Sequence, residues 1–305
     1  MPTQTVHVIL NPKSGGGRGA RLREEIQREL SARGVDVVLL ETRFAGHARD
    51  LAIEAIANGA ALVAAAGGDG TIHDVANGLL RSEKRVPLAV IPGGTGNDFA
   101  KVVPGARSRN GAYDIIARPA FHDFDAGYVE WNNGSEYFVN GMGTGIDVEV
   151  VRQIPKLPRL PGAVKYLLGL LRALAVYRPV MLRASLPGEV IERRVMMFAI
   201  GNGICQGGSF YLTPQARPDD AVLELCVVRE IPLWRVALVL PLVLRGTHGQ
   251  HPVVTMRSFT GLRLDAMDSM PVFFQLDGEL REPPGASWLK IEVRPAALSV
   301  AVAQT

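Results

Sequence analysis

The chain has 305 residues, of which 47% are hydrophobic and 21% charged, a composition typical of a globular protein that buries a substantial core. Its formal net charge of +3 is too small to indicate a protein that binds nucleic acid. Cys205 and Cys226 are the only cysteines and form no metal-ligand pattern, so a reduced, cytoplasmic setting is expected. The most apolar segment, 233–244, is too short to span a bilayer, and we expect a soluble protein without a signal peptide.

The first 120 residues alternate apolar, strand-like runs with helix-like patterns. This alternation predicts a parallel sheet covered by helices, an α/β domain, in which ligands bind beyond the carboxyl ends of the strands. Strands are predicted at 6–10, 35–40, 61–66 and 86–91, and helices at about 18–33, 46–58, 71–82 and 97–103.

After about residue 121 the pattern changes to short β-branched or alternating runs separated by turn signals, with two interrupting helices. Such a pattern predicts a mainly antiparallel β domain. We therefore divide the chain into an α/β domain at 1–121, a β domain at 122–294, and a segment at 295–305 that returns to the first domain. The predicted strands of the second domain lie at 121–130, 136–140, 195–200, 222–228, 252–257, 271–276 and 288–293.

Two glycine-rich turns follow the third and fourth predicted strands: Gly-Gly-Asp-Gly-Thr at 67–71 and Pro-Gly-Gly-Thr-Gly-Asn-Asp at 92–98. Glycine lets the backbone approach a ligand closely, and the amides at the following helix N-terminus favour an anion. Asp69 and Asp98 would repel a phosphate alone, but they suit a phosphate that carries Mg²⁺. The turns therefore predict a nucleotide-phosphate site. The alternative is a pair of ordinary strand-to-helix turns in which both aspartates cap helices.

Other phosphate-binding motifs are excluded by their spacing. The chain has no Gly-x4-Gly-Lys-Ser/Thr sequence, so a Walker-type loop is not predicted. The glycines at 15–17 and at 141–145 do not have the Gly-x-Gly-x-x-Gly spacing of a dinucleotide-binding fold.

Five motifs distributed from near the N-terminus to residue 279 match one known family. The chain resembles the diacylglycerol kinase catalytic-domain family and, within it, the soluble bacterial lipid kinases. NAD kinases and phosphofructokinases carry relatives of the Gly-Gly-Asp-Gly-Thr turn, so the combination of motifs is what points to lipid kinases. The motifs are Asn-Pro-Lys-Ser-Gly at 11–15, Glu-Thr at 41–42 with Gly-His-Ala at 46–48, the loop 67–73, the loop 93–99, and Gln-Leu-Asp-Gly-Glu at 275–279.

The resemblance implies an ATP- and Mg²⁺-dependent lipid kinase whose second domain is a β-sandwich and whose active site lies in the cleft between the domains. A solvated Lys13, a helix-capping Thr71, and packing roles for His47 and His73 remain alternatives to ligand contact. The candidate ATP-binding residues are Asn11, Pro12, Lys13, Ser14, Gly15, Thr42, Gly67, Gly68, Asp69, Gly70, Thr71, Ile72, His73, Gly94, Thr95 and Asn97.

Four acids are candidates for catalysis: Asp98, Asp125, Asp277 and Glu279. In an extended chain, Asp277 and Glu279 would face the same side, where a carboxylate could accept a proton from the attacking hydroxyl. The alternative is a surface hairpin turn, since Asp-Gly is a common hairpin dipeptide. By resemblance, Glu279 is the proton acceptor with Asp277 beside it, and Asp125 belongs to the same interdomain network.

A second, structural Mg²⁺ is implied by the resemblance alone. The family holds it at an Asp-Asp-Gly turn, where Asp220 would supply the carboxylate and Arg217 and Val222 the carbonyls. Here Ala221 replaces the glycine, which costs about 1 kcal/mol or more if that residue needs a positive φ.

Two segments are rich in basic and apolar residues and contain no acid, at 152–179 and at 231–264. This composition favours peripheral contact with an anionic membrane surface, and buried core helices are the alternative. The basic residues of the first segment are Arg152, Lys156, Arg159, Lys165, Arg172 and Arg178.

The sequence predicts transfer of the ATP γ-phosphoryl group to a hydroxyl of a diacylglycerol-like or related lipid, with a role in lipid and phospholipid metabolism. One alternative is a kinase of a soluble metabolite, such as an NAD kinase relative. Another is an inactive protein that senses a nucleotide or lipid, although four intact acids argue against it. The lipid and the oligomeric state are left open.

Overall fold

The computed structural model describes residues 5–17, 19–158, 160, 162–268 and 271–304. The chain divides into two compact units. The first takes the described residues up to Phe124 together with those from Ala296 onward, and the second takes Asp125–Pro295. Both boundaries fall inside strands, β5 (Ala120–Trp131) and β15 (Trp288–Val302).

The first unit is a parallel sheet with strand order β2-β1-β3-β4, and the end of β15 pairs beside β4 through Val300 and Leu88. Every residue of β3 is buried, as expected for a strand covered on both faces. The elements in chain order are β1 (Thr5–Leu10), α1 (Ser14–Gly17), α2 (Gly19–Ser31), β2 (Asp36–Glu41), α3 (His47–Ala57), β3 (Leu62–Gly67), α4 (Asp69–Leu80), β4 (Leu88–Pro92), α5 (Asp98–Val102) and α6 (Arg109–Ala117).

The predicted α/β organisation of the first unit is confirmed. The four predicted strands each begin and end within two residues of β1, β2, β3 and β4. The candidate loops therefore follow the carboxyl ends of parallel strands, where the side chains and amides of neighbouring loops meet.

The second unit is an antiparallel sheet with strand order β14-β13-β7-β9-β8-β12-β15, while β10 pairs with both β9 and β11, and β5 pairs with β6. Its elements after β5 are β6 (Gly134–Phe138), β7 (Gly141–Gly145), α7 (Ile146–Gln153), α8 (Gly162–Val176), β8 (Val180–Leu186), β9 (Glu189–Gly201), β10 (Leu223–Arg229), α9 (Leu233–Arg245), β11 (Val254–Phe259), β12 (Gly261–Ala266), β13 (Phe274–Leu276) and β14 (Glu279–Arg281).

Two apolar cores stabilise the second unit. One is formed by side chains of the sheet strands, among them Phe198, Leu264 and Phe274. The other includes residues of α7, α8 and α9 together with strand residues such as Met196 and Val228. Among the described residues, no helix is both long and apolar enough to span a bilayer.

Candidate functional site

The two glycine-rich loops of the first unit lie side by side. The N–H of Gly93 donates a 2.8 Å hydrogen bond to the carbonyl of Gly67. A Cβ on Gly94 would lie 2.5 Å from Cα of Gly68, so the close approach of the two backbones requires glycine at position 94. The loops that the sequence singled out separately therefore form one backbone surface after β3 and β4.

The two acids of these loops are joined through the backbone. Oδ1 of Asp69 accepts hydrogen bonds from the N–H groups of Asp98 (2.7 Å) and Phe99 (3.4 Å), at the start of α5. Asp98 is 5% exposed, and its Oδ1 lies 2.6 Å from Nζ of Lys101, one turn further along α5. Asp69, Asp98 and Lys101 thus place two carboxylates and one ammonium group beside the two loops. Lys101 was not among the residues predicted from the sequence.

Asn97 shapes the glycine-rich turn that precedes Asp98. Its backbone adopts φ 52°, and its side chain exchanges hydrogen bonds with the backbone of Gly94. Asparagine tolerates the left-handed conformation better than most residues do, because its amide can bond locally. Thr95, which lies inside this turn, is exposed.

The Asn-Pro-Lys-Ser-Gly segment continues the same surface from β1. Nδ2 of Asn11 lies 3.3 Å from Oγ1 of Thr71 in α4, and Oδ1 of Asn11 accepts the N–H of Lys13 at 3.0 Å. Thr71 is buried, and its hydroxyl contact with Asn11 joins the segment 11–15 to α4. The segment ends at Gly15, and three successive glycines here have a positive φ, which no other residue type adopts easily: Gly15, Gly16 and Gly17.

Ser14 carries an unused polar atom. Its side chain is 9% exposed, and its Oγ has no hydrogen-bond partner among the described residues. A buried hydroxyl without a partner is costly, so its presence here fits a site that a phosphate oxygen completes. The adjoining glycines leave room for a phosphate group against the backbone. These residues therefore fit a bound nucleotide.

Four other residues that the sequence singled out make structural contacts. His73 is fully buried and contacts Asn77 within α4, and Ile72 is a core residue, so only their backbone atoms are placed to contact a ligand. His47 stacks on Phe44 at 4.6 Å and accepts a hydrogen bond from the N–H of Arg43. These contacts agree with the packing alternative for both histidines, and ligand contact by His73 stays a prediction. Thr42, at the end of β2, donates its N–H to the carbonyl of Leu10.

The sequence Asp-Gly-Glu forms a hairpin in the second unit, not an extended run. Leu276 pairs with Glu279, and the two residues between them have φ values of 51° (Asp277) and 88° (Gly278), the combination of a tight type I′ turn. The prediction that Asp277 and Glu279 face the same side of an extended strand is therefore wrong. Asp277 is buried, and Glu279 is exposed.

Asp277 is fully engaged with the backbone. Its carboxylate accepts hydrogen bonds from the N–H groups of Val139 (3.0 Å), Asn140 (2.9 Å) and Gly141 (2.9 Å). Three amide donors of this kind stabilise a buried carboxylate. The arrangement ties the hairpin to the segment before β7 and leaves Glu279 as the exposed acid of the motif.

Asp125 contacts the turn that was predicted to bind a structural metal. Its Oδ2 accepts the N–H of Ala221 at 2.7 Å, and its own N–H donates to the carbonyl of Pro218. Ala221 has φ 61°, so the strained conformation expected from the missing glycine is confirmed. Asp220 is exposed, and its Oδ1 accepts the N–H of Val222 at 3.3 Å.

The resemblance implies a donor set at this turn of one carboxylate, from Asp220, and the carbonyls of Arg217 and Val222. Oxygen ligands of this kind suit Mg²⁺, which keeps several of its waters in proteins. Among the residues that the structure describes, no group of three or more histidine, cysteine or acidic side chains could hold a metal ion. The turn fits a metal bound largely through carbonyls and water.

A buried polar network behind the hairpin was not predicted from the sequence. Asp147 at the start of α7 is 3% exposed and accepts hydrogen bonds from Tyr166 and Gln275. Burial raises the pKa of Asp147, and its two hydrogen bonds oppose that rise. The only sequence signal was an acid that closely follows the glycine-rich run 141–145.

Several arginines of the two acid-free segments pair in the folded chain with acids that lie outside these segments. Nε of Arg152 lies 2.6 Å from Glu282, and Arg257 and Arg263 pair with Glu189 and Asp265. Arg159 lies outside the described residues. Exposed basic residues on the two helices themselves include Arg172 of α8, and Arg235 and Arg245 of α9.

Helices α8 and α9 have apolar side chains on exposed as well as buried faces. Tyr166, Leu170, Val239 and Val243 line a largely apolar cavity of roughly 80 Å³ between these helices and the sheet. The alternative of buried core helices holds for one face of each helix only, because their outer faces carry large exposed apolar residues: Leu171 (54%), Val176 (56%), Trp234 (64%) and Leu238 (61%).

Two families match the chain. Residues 5–129 match the family described as the diacylglycerol kinase catalytic domain, and residues 140–302 match the family described as the YegS C-terminal NAD kinase beta sandwich-like domain. A protein named diacylglycerol kinase from Bacillus subtilis is 30% identical over 276 residues, which cover 89% of this chain and 88% of that protein. A protein named diacylglycerol kinase from Staphylococcus carnosus is 28% identical over 286 residues, which cover 93% of this chain and 92% of that protein.

Solved structures share the fold. The crystal structure of a diacylglycerol kinase from Bacillus anthracis superposes with a TM-score of 0.73 at 21% identity, covering 99% of this chain and 98% of that chain. Yeast NADH kinase complexed with NADH superposes with a TM-score of 0.56 at 12% identity, covering all of this chain and 84% of that one. At these identities the likeness establishes the fold alone.

Proposed function

The chain belongs to the diacylglycerol kinase catalytic-domain family, and on that premise we propose that it is an ATP- and Mg²⁺-dependent lipid kinase. The acceptor is a hydroxyl of a diacylglycerol-like or related lipid. The observation that carries the proposal is the shared backbone surface of the two glycine-rich loops, where Asp69 holds the amide of Asp98. That surface supplies amides for phosphate and carboxylates for Mg²⁺.

ATP contacts belong to the first unit in this proposal. The loops at 11–15, 67–73 and 94–97 surround the phosphates with amides, and the unpartnered hydroxyl of Ser14 donates to a phosphate oxygen. Asp69 and Asp98 face the metal side of the nucleotide, and Thr42 and Thr95 add hydroxyls. When bound, Mg²⁺ neutralises charge on the phosphoryl group that is transferred.

Glu279 of the second unit is the proposed proton acceptor. Its carboxylate is exposed, whereas that of Asp277 already accepts three backbone amides. The lipid oxygen bonds to the γ-phosphorus of ATP, the bond from that phosphorus to the bridging oxygen of ADP breaks, and the hydroxyl proton passes to Glu279. Asp277 and Asp125 act as positioning residues for the hairpin and for the turn at 217–222.

Helices α8 and α9 are proposed to contact the membrane that presents the lipid, in an otherwise cytoplasmic protein. Their exposed leucine, valine and tryptophan side chains suit insertion at the level of the headgroups, and Arg172, Arg235 and Arg245 suit anionic lipid. The ring of Trp234 lies 5.0 Å from the guanidinium of Arg235, so an aromatic ring and a cation lie next to each other on α9.

The turn at 217–222 is proposed to bind a structural Mg²⁺ through Asp220 and the carbonyls of Arg217 and Val222. Support comes from the exposed Asp220 carboxylate and the oxygen-rich donor set. A rise in melting temperature with added Mg²⁺ that is absent in Asp220→Asn would support this site, and equal behaviour of the two proteins would refute it.

A direct assay tests the function. The purified protein is incubated with γ-labelled ATP, Mg²⁺ and mixed micelles that contain diacylglycerol or related hydroxyl lipids, with NAD as a soluble acceptor in parallel. Label in a lipid product that disappears in Glu279→Gln supports the proposal. Label in NADP alone would favour a soluble-metabolite kinase, and ATP binding without any transfer would favour a sensor.

A further inference from the structure

A buried carboxylate in the second unit is not used by the proposed reaction. Oδ1 of Asp147 accepts the hydroxyl of Tyr166 at 2.8 Å, and its Oδ2 accepts Nε2 of Gln275 at 2.7 Å. Both donors are neutral, and burial raises the pKa of this carboxyl. Burying the Asp147 carboxyl costs free energy, so we expect its hydrogen bonds to have a role in positioning its partners.

Asp147 fixes which way the amide of Gln275 points. Oδ2 of Asp147 accepts from Nε2 of Gln275, so the amide nitrogen of Gln275 faces Asp147, and it also donates to Oε1 of Gln206 at 2.8 Å. The opposite end, Oε1 of Gln275, then accepts the N–H of Gly278 at 2.6 Å. Gly278 is the residue between Asp277 and Glu279 in the hairpin turn.

The glycine-rich strand β7 makes room for this network. Gln275 pairs directly with Gly143 across β13 and β7. A Cβ on Gly143 would clash with Oδ2 of Asp147, and a Cβ on Gly141 would clash with Nε2 of Gln206. Two glycines of one motif thus each clear space for a different member of the network, which explains a motif that fits no nucleotide-binding pattern.

The other end of the network lies on α8. The ring of Tyr166 packs on Phe210 at 4.5 Å between centroids and lines the apolar cavity beneath α8 and α9. A hydrogen-bonded chain therefore runs from Tyr166 through Asp147 and Gln275 to the amide of Gly278.

We propose that Asp147 is a positioning residue that holds the turn carrying Glu279, through Gln275, and ties the position of this turn to α8. The inference rests on the proposed function for its consequence in catalysis, because Glu279 is the acid that it positions. Its structural part, control of the Gly278 amide, stands independently of any substrate.

The test compares Asp147→Leu, which keeps the shape but removes the acceptors, with Asp147→Asn. The asparagine carbonyl can still accept from Gln275, and its amide can donate to the oxygen of Tyr166. Hydrogen exchange at Gly278 is measured in each folded protein, together with kcat and the KM for ATP in mixed micelles. Glu224→Leu is the matched control, since Glu224 is also a buried carboxylate of this unit with a neutral partner, Ser258.

In Asp147→Leu, exchange at Gly278 should accelerate about fivefold or more beyond the control, the effect of losing one hydrogen bond. The kcat should fall about tenfold or more with little change in the KM for ATP, because misplacement of a reacting group costs turnover. Asp147→Asn should restore both quantities. If Asp147→Leu does not fold, Tyr166→Phe replaces it, with a smaller acceleration expected.

Three outcomes would overturn the inference: unchanged exchange at Gly278 in Asp147→Leu, unchanged exchange in a folded Tyr166→Phe, or a loss of turnover in Asp147→Asn as large as that in Asp147→Leu. The last would mean that the charge itself contacts the substrate. A wild-type protein without lipid kinase activity would refute the proposed function, and the exchange measurements would still decide the hydrogen-bonded chain.

Discussion

The carboxylate of Asp69 caps the helix that begins at Asp98, through a 2.7 Å hydrogen bond from the Asp98 N–H. The cap comes from a different loop, so this contact, the Gly93–Gly67 backbone bond and the pairing of β3 with β4 together hold the two glycine-rich loops side by side. A change at Asp69 is therefore expected to alter both loops, and a change at Asp98 only the second.

Asp98→Asn should lower kcat by roughly 10²-fold or more, because a charge proposed to face Mg²⁺ is lost; the cap from Asp69 is kept, so any loss of stability should come from the broken ion pair with Lys101. Asp69→Ala should lower turnover and also cost about 1 kcal/mol of unfolding free energy, the usual effect of removing a cap. Steady-state kinetics and urea unfolding of both variants check this. Near-native kcat in Asp98→Asn would contradict the metal-facing role.

Glu279→Gln should reduce kcat by roughly 10²- to 10⁴-fold without a change in stability, since the side chain is exposed and is the proposed base. The acidic limb of the pH profile of kcat/KM should disappear with it. ATP affinity should stay near that of the wild type, because the proposed phosphate contacts lie in the first unit. Wild-type turnover with an intact acidic limb would exclude Glu279.

Asp277→Asn should mainly destabilise the protein, by about 1–3 kcal/mol, because an amide cannot accept the three backbone hydrogen bonds as a carboxylate does. Urea unfolding measures the loss, with Glu279→Gln as the exposed control from the same hairpin. Full stability combined with lost turnover would instead identify Asp277 as a group that acts in the reaction.

Ala221→Gly should stabilise the protein by about 0.5–1 kcal/mol. Relief of the left-handed conformation is worth about 1–2 kcal/mol, and the greater freedom of glycine in the unfolded chain offsets part of it. Thermal unfolding checks the sign, and Ala221→Val, which is branched at Cβ, should lower stability. A stabilising valine would rule out backbone strain at this turn.

Binding to anionic vesicles should require both the apolar and the basic residues of α8 and α9. The double variant Trp234→Ala, Leu238→Ser should bind weakly at any salt concentration, while Arg172→Gln with Arg235→Gln should abolish the preference for anionic lipid. Co-sedimentation at low and high salt measures both effects. Phe44→Ala is the control, since that exposed residue lies in the first unit. Equal sedimentation of all these proteins would reject the surface.

Stability should fall as the pH is lowered through the range in which free histidine titrates. Burial lowers the pKa of His248, whose ring contacts Cys226 and the carbonyl of Leu212. The neutral ring is therefore favoured in the folded state, so its contribution is complete above about pH 6.5 and is lost as pH falls towards the folded pKa. His7 shifts in the same direction. Urea unfolding of His248→Gln should show a shallower pH dependence, and an unchanged slope would contradict this origin.

The sequence predicted the first unit well because its strands are continuous apolar runs and its loops contain glycine at the points of closest approach. It predicted less of the second unit. Strand β7 reads Gly-Met-Gly-Thr-Gly, which local propensity does not favour as a strand, and it forms because the missing side chains admit Asp147 and Gln206.

Long-range pairing explains what sequence spacing could not supply. The hairpin at Asp277 and Gly278 follows local turn preferences, yet the burial of Asp277 depends on amides some 137 residues away. In the same way, the sequence around Arg257 contains no acid that could pair with it, but in the fold its guanidinium donates to Glu189, 68 residues earlier. Which charges remain available at a surface is decided by the tertiary fold.

One strand of the first unit, the end of β15, is synthesised after the whole second unit. Val300 pairs with Leu88 of β4, and the N–H of Ala303 donates to the carbonyl of Pro104. A nascent chain that has just passed residue 124 therefore has one edge of β4 open, and the whole second unit must be synthesised before that edge is covered. Completion of this sheet therefore waits for synthesis of the second unit, and a chain that stops short of residue 300 keeps an open strand edge that chaperones and proteases can recognise.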